Sequence, residues 1–205
     1  MAVEPVESAA AVYILRHGET QWSNSGQHTG VTDIPLTENG EQQARRAGLV
    51  MSTLRGSAVP PYRVFTSPRQ RAVRTAELAG FTVDEKVEEL AEWDYGDYEG
   101  MTTAQIREEV PGWTVWTHPS RGGEGADQVS DRADALLARV RELLPCGDVV
   151  LVGHGHFSRV LIARWLGMPV TSGVHFGLGP AGTAVLDHER GEPRVNRLNV
   201  PPLDV

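Results

Sequence analysis

The sequence predicts an α/β protein, a three-layer α/β/α sandwich with a mostly parallel central sheet. Three observations carry that prediction. Short runs rich in β-branched residues alternate along the chain with stretches of helical periodicity. Three of the predicted strands end in polar residues beside glycine or proline: Arg16-His17-Gly18, Ser67-Pro68-Arg69 and Gly153-His154-Gly155. No repeat, heptad array or low-complexity linker breaks the alternation, so residues 1–205 read as one domain with its core at about 11–190 and flexible ends.

Taken in order, Ala11–Leu15 (AVYIL) reads as a buried strand. Thr37 to about Arg55 reads as a helix. Thr37 caps it, Glu38 and Glu41 suit the positive end of its dipole, and Ala47, Val50, Met51 and Leu54 form one apolar stripe. Tyr62–Thr66 is a second strand. It leads into a helix expected to run to about Ala79, with Ser67 as N-cap, Pro68 at the first helical position and Gln70 completing a capping box. Val87–Glu92 reads as a third strand or an extended loop, and Thr102–Glu109 as a short helix stopped by Pro111-Gly112. From Val129 to Leu144 an apolar stripe marks a long helix ending at Pro145. Asp148–Val152 (DVVLV) is a strand, followed by a helix that places Phe157, Val160, Leu161 and Trp165 on one face and runs to Gly167. Ala181–Asp187 and Arg194–Leu198, joined by Glu-Arg-Gly-Glu-Pro, read as a closing hairpin, with a frayed tail at Pro201-Pro202.

Composition sets outer limits. At 40% apolar and 22% charged residues the chain is neither disordered nor fibrous. No apolar run approaches the ~18 residues of a membrane span, and Met1–Ala10 lacks a basic signal-like segment. A single cysteine, Cys146, rules out an internal disulfide and points to a reducing, cytoplasmic home, where it reads as a small buried residue. The net charge of −8 disfavours nucleic-acid or membrane partners, so an anionic ligand must be drawn in by a local basic cluster. The apolar C-terminal region leaves room for a homodimer.

Ligands of open α/β sheets bind outside the carboxyl ends of the strands. If the three polar strand ends are neighbours, two histidines and two arginines converge there, close to helix N-termini, and the convergence describes a phosphate site. Each residue alone has a duller reading, as a hydrogen-bonded structural histidine or a surface arginine, and their joint occurrence is what favours chemistry.

Leu15-Arg16-His17-Gly18-Glu19-Thr20 resembles the signature of the histidine phosphatase superfamily, branch 1, the phosphoglycerate-mutase-like branch. Thr29-Gly30, Leu36–Gly40, Ser67-Pro68-Arg69-Gln70-Arg71-Ala72 with Thr75-Ala76, Glu92 through Gly100, and Gly153-His154-Gly155 follow in the family's order. The resemblance implies an α/β/α fold and a phosphohistidine intermediate, with no cofactor and no metal. It makes His17 the nucleophile and Glu92 the proton donor, and it sets Arg16, Arg69 and His154 around the phosphoryl group. Around the substrate it places Ser23, Thr29, Gly30, Trp93, Tyr95 and Gly155.

The same signature serves phosphoglycerate mutases, the alternative reading. Mutases carry a lysine eleven residues after the glutamate, here Thr103, and an asparagine six residues after the histidine, here Ser23. The arginine pair they carry after an aromatic is absent from Trp116-Thr117-His118. These departures favour the acid or broad-specificity phosphatases of the family, acting on small-molecule phosphate monoesters. Trp22, Trp93, Tyr95, Trp113 and Trp116 are expected to wall the pocket with aromatic rings suited to aryl leaving groups, although Trp113 and Trp116 are equally at home in a core. An acidic pH optimum follows from a carboxylic acid that must be protonated to donate. A metal-dependent hydrolase built on His154-x-His156 finds no further ligand at suitable spacing. A non-catalytic phosphate-binding module is disfavoured by the complete set of implied catalytic residues. His28, His118, His175 and His188 have no spacing that ties them to chemistry.

Overall fold

The structure, a computed structural model, describes residues 10–202; the ends expected to be flexible fall, at 1–9 and 203–205, outside the described residues. A six-stranded sheet forms the middle layer: β1 (Val12–Arg16), β2 (Arg63–Thr66), β3 (Glu85–Lys86), β4 (Val149–Gly153), β5 (Thr183–Glu189) and β6 (Glu192–Val200). Their order is β3-β2-β4-β1-β5-β6, parallel from β3 through β1 and antiparallel at β5 and β6. Six helices accompany them: α1 (Gln21–Ser25), α2 (Glu38–Arg55), α3 (Gln70–Leu78), α4 (Thr103–Glu109), α5 (Ala126–Leu143) and α6 (Gly155–Trp165).

Side-chain alternation along the strands splits the core in two. Val12, Ile14, Phe65, Val149 and Leu151 face α5 and α6, while Tyr13, Leu15, Val64, Val150 and Val152 face α2 and α3. All five residues of β4 are buried, as expected of a central parallel strand covered on both faces.

Most predicted elements stand within a residue or two. The exceptions have physical reasons. Ser67 does not cap α3: its hydroxyl oxygen accepts from His154 Nε2 at 2.7 Å and from the Arg69 N–H at a long 3.4 Å, Arg69 stands at the N-cap, and the helix begins at Gln70, whose backbone N–H donates to Asp33 Oδ1 at 2.9 Å. The region read as Val87–Glu92, a third strand or an extended loop, is not a strand: the two-residue β3 precedes it at Glu85–Lys86, and a 3-10 turn occupies Glu88–Leu90. The short α1, capped by Thr20, has no apolar periodicity to announce it and buries no residue. The hairpin closes on Arg190 and Gly191, both at positive φ (53° and 86°), so the strands run longer than the five-residue turn suggested. Cys146 is exposed rather than buried, because Leu144–Cys146 forms a 3-10 turn at the end of α5 instead of entering the core.

Candidate active site

β2, β4 and β1 are neighbours, so the three polar strand ends do meet. His17 follows β1 and is 5% exposed. Its backbone N–H donates to the Gly153 carbonyl at 2.9 Å and its own carbonyl accepts from Ala181 at 3.0 Å. The ring Nδ1–H donates to the Gly18 carbonyl at 2.7 Å. Burial, then the charges of Arg71 and Arg16, holds the imidazole well below its usual range, and it is neutral. With Nδ1 protonated, the lone pair of the neutral ring resides on Nε2. Gly18 fixes the turn: a Cβ there would lie 2.3 Å from the Gly40 carbonyl at the start of α2.

His154 is fully buried between β4 and α6. Its Nδ1 accepts from Arg71 Nε at 3.2 Å, so the proton sits on Nε2, which donates to Ser67 Oγ at 2.7 Å. Both ring nitrogens are thereby engaged within the protein. Its ring meets that of His17 edge-on at 5.2 Å between centroids. His154 and His156 thus point their nitrogens at different partners, and among the described residues no group of three His, Cys, Asp or Glu side chains could hold a metal.

Three arginines approach this pair. Arg16 Nη1 donates to the Leu178 carbonyl at 2.7 Å, and its Nε is buried without an acceptor among the described residues. Arg71, on the first turn of α3, is completely buried. Besides His154 it binds the carbonyls of Thr29, Gly30 and Thr32 at 2.8–3.1 Å. Sequence reasoning gave the second cationic role to Arg69. Arg69 stands at the half-buried N-cap of α3, also with an unpartnered buried Nε, but Arg71 makes the direct bond to His154. The sequence placed both arginines at this strand end but carried no signal for which of them turns inward, since that depends on α3 starting at Gln70.

Glu92, 7% exposed, accepts three backbone N–H bonds: from Trp93 (2.9 Å) and Phe157 (2.7 Å) on Oε1 and from His156 (3.0 Å) on Oε2. Two of these donors belong to the first turn of α6. The segment carrying Glu92 is clamped by Arg132 of α5. Its guanidinium binds the carbonyls of Glu89, Ala91 and Glu92 and both carboxylate oxygens of Glu124.

A cleft of about 180 Å³ opens over this cluster. Arg16, His17, Glu92, Ser23, Thr29, Tyr95 and Gly155 line it, as expected. Arg69, His154, Gly30 and Trp93 do not. Gly30 sits behind the wall, its N–H on Glu99 and a Cβ excluded by the Trp93 carbonyl at 2.6 Å. Trp93 is 1% exposed, with its indole N–H donating to the Glu124 carbonyl at 2.9 Å. Trp113 and Trp116 are likewise core residues, and Trp22 packs by Gly100, so the expected wall of indoles is absent. In its place stand His28, His156 and Arg159, which sequence reasoning left without a role in substrate binding. His28 shares a hydrogen bond with Thr103 at 3.1 Å, and burial lowers its pKa to about 4. The Tyr95 hydroxyl, its pKa pushed up by burial and then by Glu92, shares a hydrogen bond with His156 Nδ1 at 2.6 Å. A larger cleft of about 430 Å³ near Gly48, Arg55 and Phe81 gathers no histidine.

Residues 12–201 match the family described as histidine phosphatase superfamily (branch 1). The chain is 47% identical over 178 residues to an acid phosphatase of Mycobacterium tuberculosis, covering 87% of this chain and 86% of that one. It is 36% identical over 186 residues to sedoheptulose 1,7-bisphosphatase of Saccharomyces cerevisiae, covering 77% and 68% respectively. A solved structure of an open reading frame product from Mycobacterium tuberculosis superposes with a TM-score of 0.90 at 44% identity, over 95% of this chain and 99% of that one.

Proposed function

The chain belongs to branch 1 of the histidine phosphatase superfamily, and from that premise we propose that it hydrolyses small phosphate monoesters through a phosphohistidine on His17. The observation that carries this reading is the tautomer of His17. Its Nδ1 is committed to the Gly18 carbonyl, leaving the Nε2 lone pair in a cleft that also holds Arg16 and Glu92.

Nε2 attacks phosphorus, the ester P–O bond breaks, and the leaving oxygen takes a proton from the Glu92 carboxyl. Glu92 then removes a proton from water, which attacks phospho-His17; the P–N bond breaks and inorganic phosphate departs. The chemistry asks little covalent help of the protein but needs compensation of oxygen charge. Arg16, Arg69 and Arg71 are the cations at hand, and the unpartnered Nε donors of Arg16 and Arg69 suit phosphoryl oxygens. His154 acts here by packing against His17 and holding Arg71, rather than by offering a free ring nitrogen.

Hydrolysis is preferred over mutase action. Thr103, where mutases have a lysine, is a neutral partner of His28, and Trp116 is buried in the core. An acidic optimum is expected. The depressed pKa of His17 keeps the nucleophile neutral well below pH 6.5, so it does not set the acid limb. A rate maximum above about pH 8 would contradict Glu92 as the acid. The reaction as read needs no metal or cofactor, and its partner is a small molecule rather than nucleic acid or membrane. Among the described residues no helix is long and apolar enough to cross a membrane, and the single cysteine favours the cytoplasm.

Acid-quench trapping with a 32P-labelled monoester tests the mechanism. Labelled enzyme is expected from the unaltered protein and none from His17→Ala with an unchanged circular dichroism spectrum. Turnover by His17→Ala at the original rate would reject the mechanism.

A further inference from the structure

Arg159 is a cation on the cleft wall that the phosphoryl chemistry leaves unused. It lies on α6 four residues beyond Gly155, so the helical period returns it to the side of the helix that faces the cleft. Its Nε donates to the Gly173 carbonyl at 3.0 Å and Nη2 to the Val174 carbonyl at 3.1 Å, while the guanidinium lies 4.6 Å over the Trp116 ring. Those contacts fix its plane and leave the two Nη1 hydrogens without an acceptor among the described residues. No carboxylate pairs with it among the described residues, whereas Arg55, Arg132, Arg164 and Arg194 are each paired. The anion it senses most is Glu92, whose oxygens already accept three backbone N–H bonds.

A half-buried cation without a counter-charge is costly unless a ligand supplies one. Proximity to Glu92 puts this cation on the leaving-group side, since Glu92 protonates the leaving oxygen. Resting on the phosphatase reading above, we propose that Arg159 binds a second anionic group, a carboxylate or a phosphate, on the alcohol half of the substrate. The cleft is smaller than the ~300 Å³ and more usual for drug-sized ligands. It is walled near Arg159 by the hydrogen-bonding rings of His28, Tyr95 and His156. Small polar monoesters bearing such a group are therefore the favoured substrates, ahead of aryl phosphates.

The test compares phosphate release from matched pairs: 3-phosphoglycerate against glycerol 3-phosphate, and propane-1,3-diol bisphosphate against 3-hydroxypropyl phosphate. For at least one pair, kcat/KM should favour the anionic member by about 10- to 100-fold, the range of a charge-assisted hydrogen bond, mostly through KM. In Arg159→Gln that ratio should fall to near one, and Arg159→Lys should restore part of it. Because each ratio is taken on one preparation, loss of folded protein does not move it. The pair that responds identifies the group. Ratios near one for both pairs in the unaltered enzyme, or a ratio unchanged in Arg159→Gln, overturn the proposal. If a phosphoenzyme is trapped in that case, the phosphatase reading survives alone; if none of the four esters is hydrolysed and no phosphoenzyme forms, both fall.

Discussion

Arg71 and Arg69 stand two residues apart and should answer differently to substitution. Replacing Arg71 by methionine keeps much of the volume but leaves His154 Nδ1 and three carbonyls without their donor. Unsatisfied buried groups cost about 1–3 kcal/mol each where no water reaches them, so Arg71→Met should lower unfolding free energy by at least about 3 kcal/mol. It should also slow kcat by about 100-fold or more, as expected for loss of a preorganised cation. Arg69→Met removes no side-chain hydrogen bond found among the described residues and should leave denaturant midpoints nearly unchanged while weakening turnover. Equal destabilisation by the two would show that the division of labour is wrong. The pattern Ser-Pro-Arg-Gln-Arg announced cations at this strand end, but not which one the helix turns inward. That choice was set by where α3 begins, at Gln70, which puts Arg71 on its first turn.

At the scale of elements, α5 holds the segment carrying Glu92 while contributing no residue to the cleft lining. Arg132 gathers three carbonyls between Glu89 and Glu92, and Glu124 accepts from the Asp94 N–H at 3.0 Å. Arg132→Ala should cost about 2–3 kcal/mol of stability and lower kcat more than it raises KM, because the displaced group is the acid rather than a binding residue. A pure KM effect would contradict this. The strands and long helices were legible because burial writes a period of two or of 3.6 into the sequence, as β4 and α5 illustrate. Residues 87–100 carried no such period. Their shape is dictated by Arg132, Glu124 and the N-terminus of α6, contacts made across 30 to 65 positions of chain. The cleft walls were misjudged for a related reason. Composition marks tryptophan as an aromatic wall or a core residue alike, and only packing shows Trp93, Trp113 and Trp116 buried in the core cluster on the α5/α6 side of the sheet.

For the whole molecule, the neutral histidines of the site carry a stability penalty in acid. His17, His28, His154 and His156 are all held below the usual imidazole range, chiefly by burial. The unfolded chain therefore takes up protons first, and stability present above pH ~6.5 is lost as pH falls toward the folded values. For His28, shifted to about 4, the loss at pH 5 is about 2 kcal/mol. Thermal midpoints should decline steadily from pH 7 to pH 5, and a flat profile would mean that these rings take up protons as readily in the native state as in the unfolded chain. The acid limb of activity is then a limb of folding. The site draws Arg71 from the α2/α3 side of the sheet and the anchors of Glu92 from the α5/α6 side. It is consequently a seam, and its alignment depends on two hydrophobic halves keeping registry across one sheet. Gentle heating should extinguish catalysis a few degrees before ellipticity changes, making turnover an early sentinel of damage that spectroscopy of the backbone would overlook.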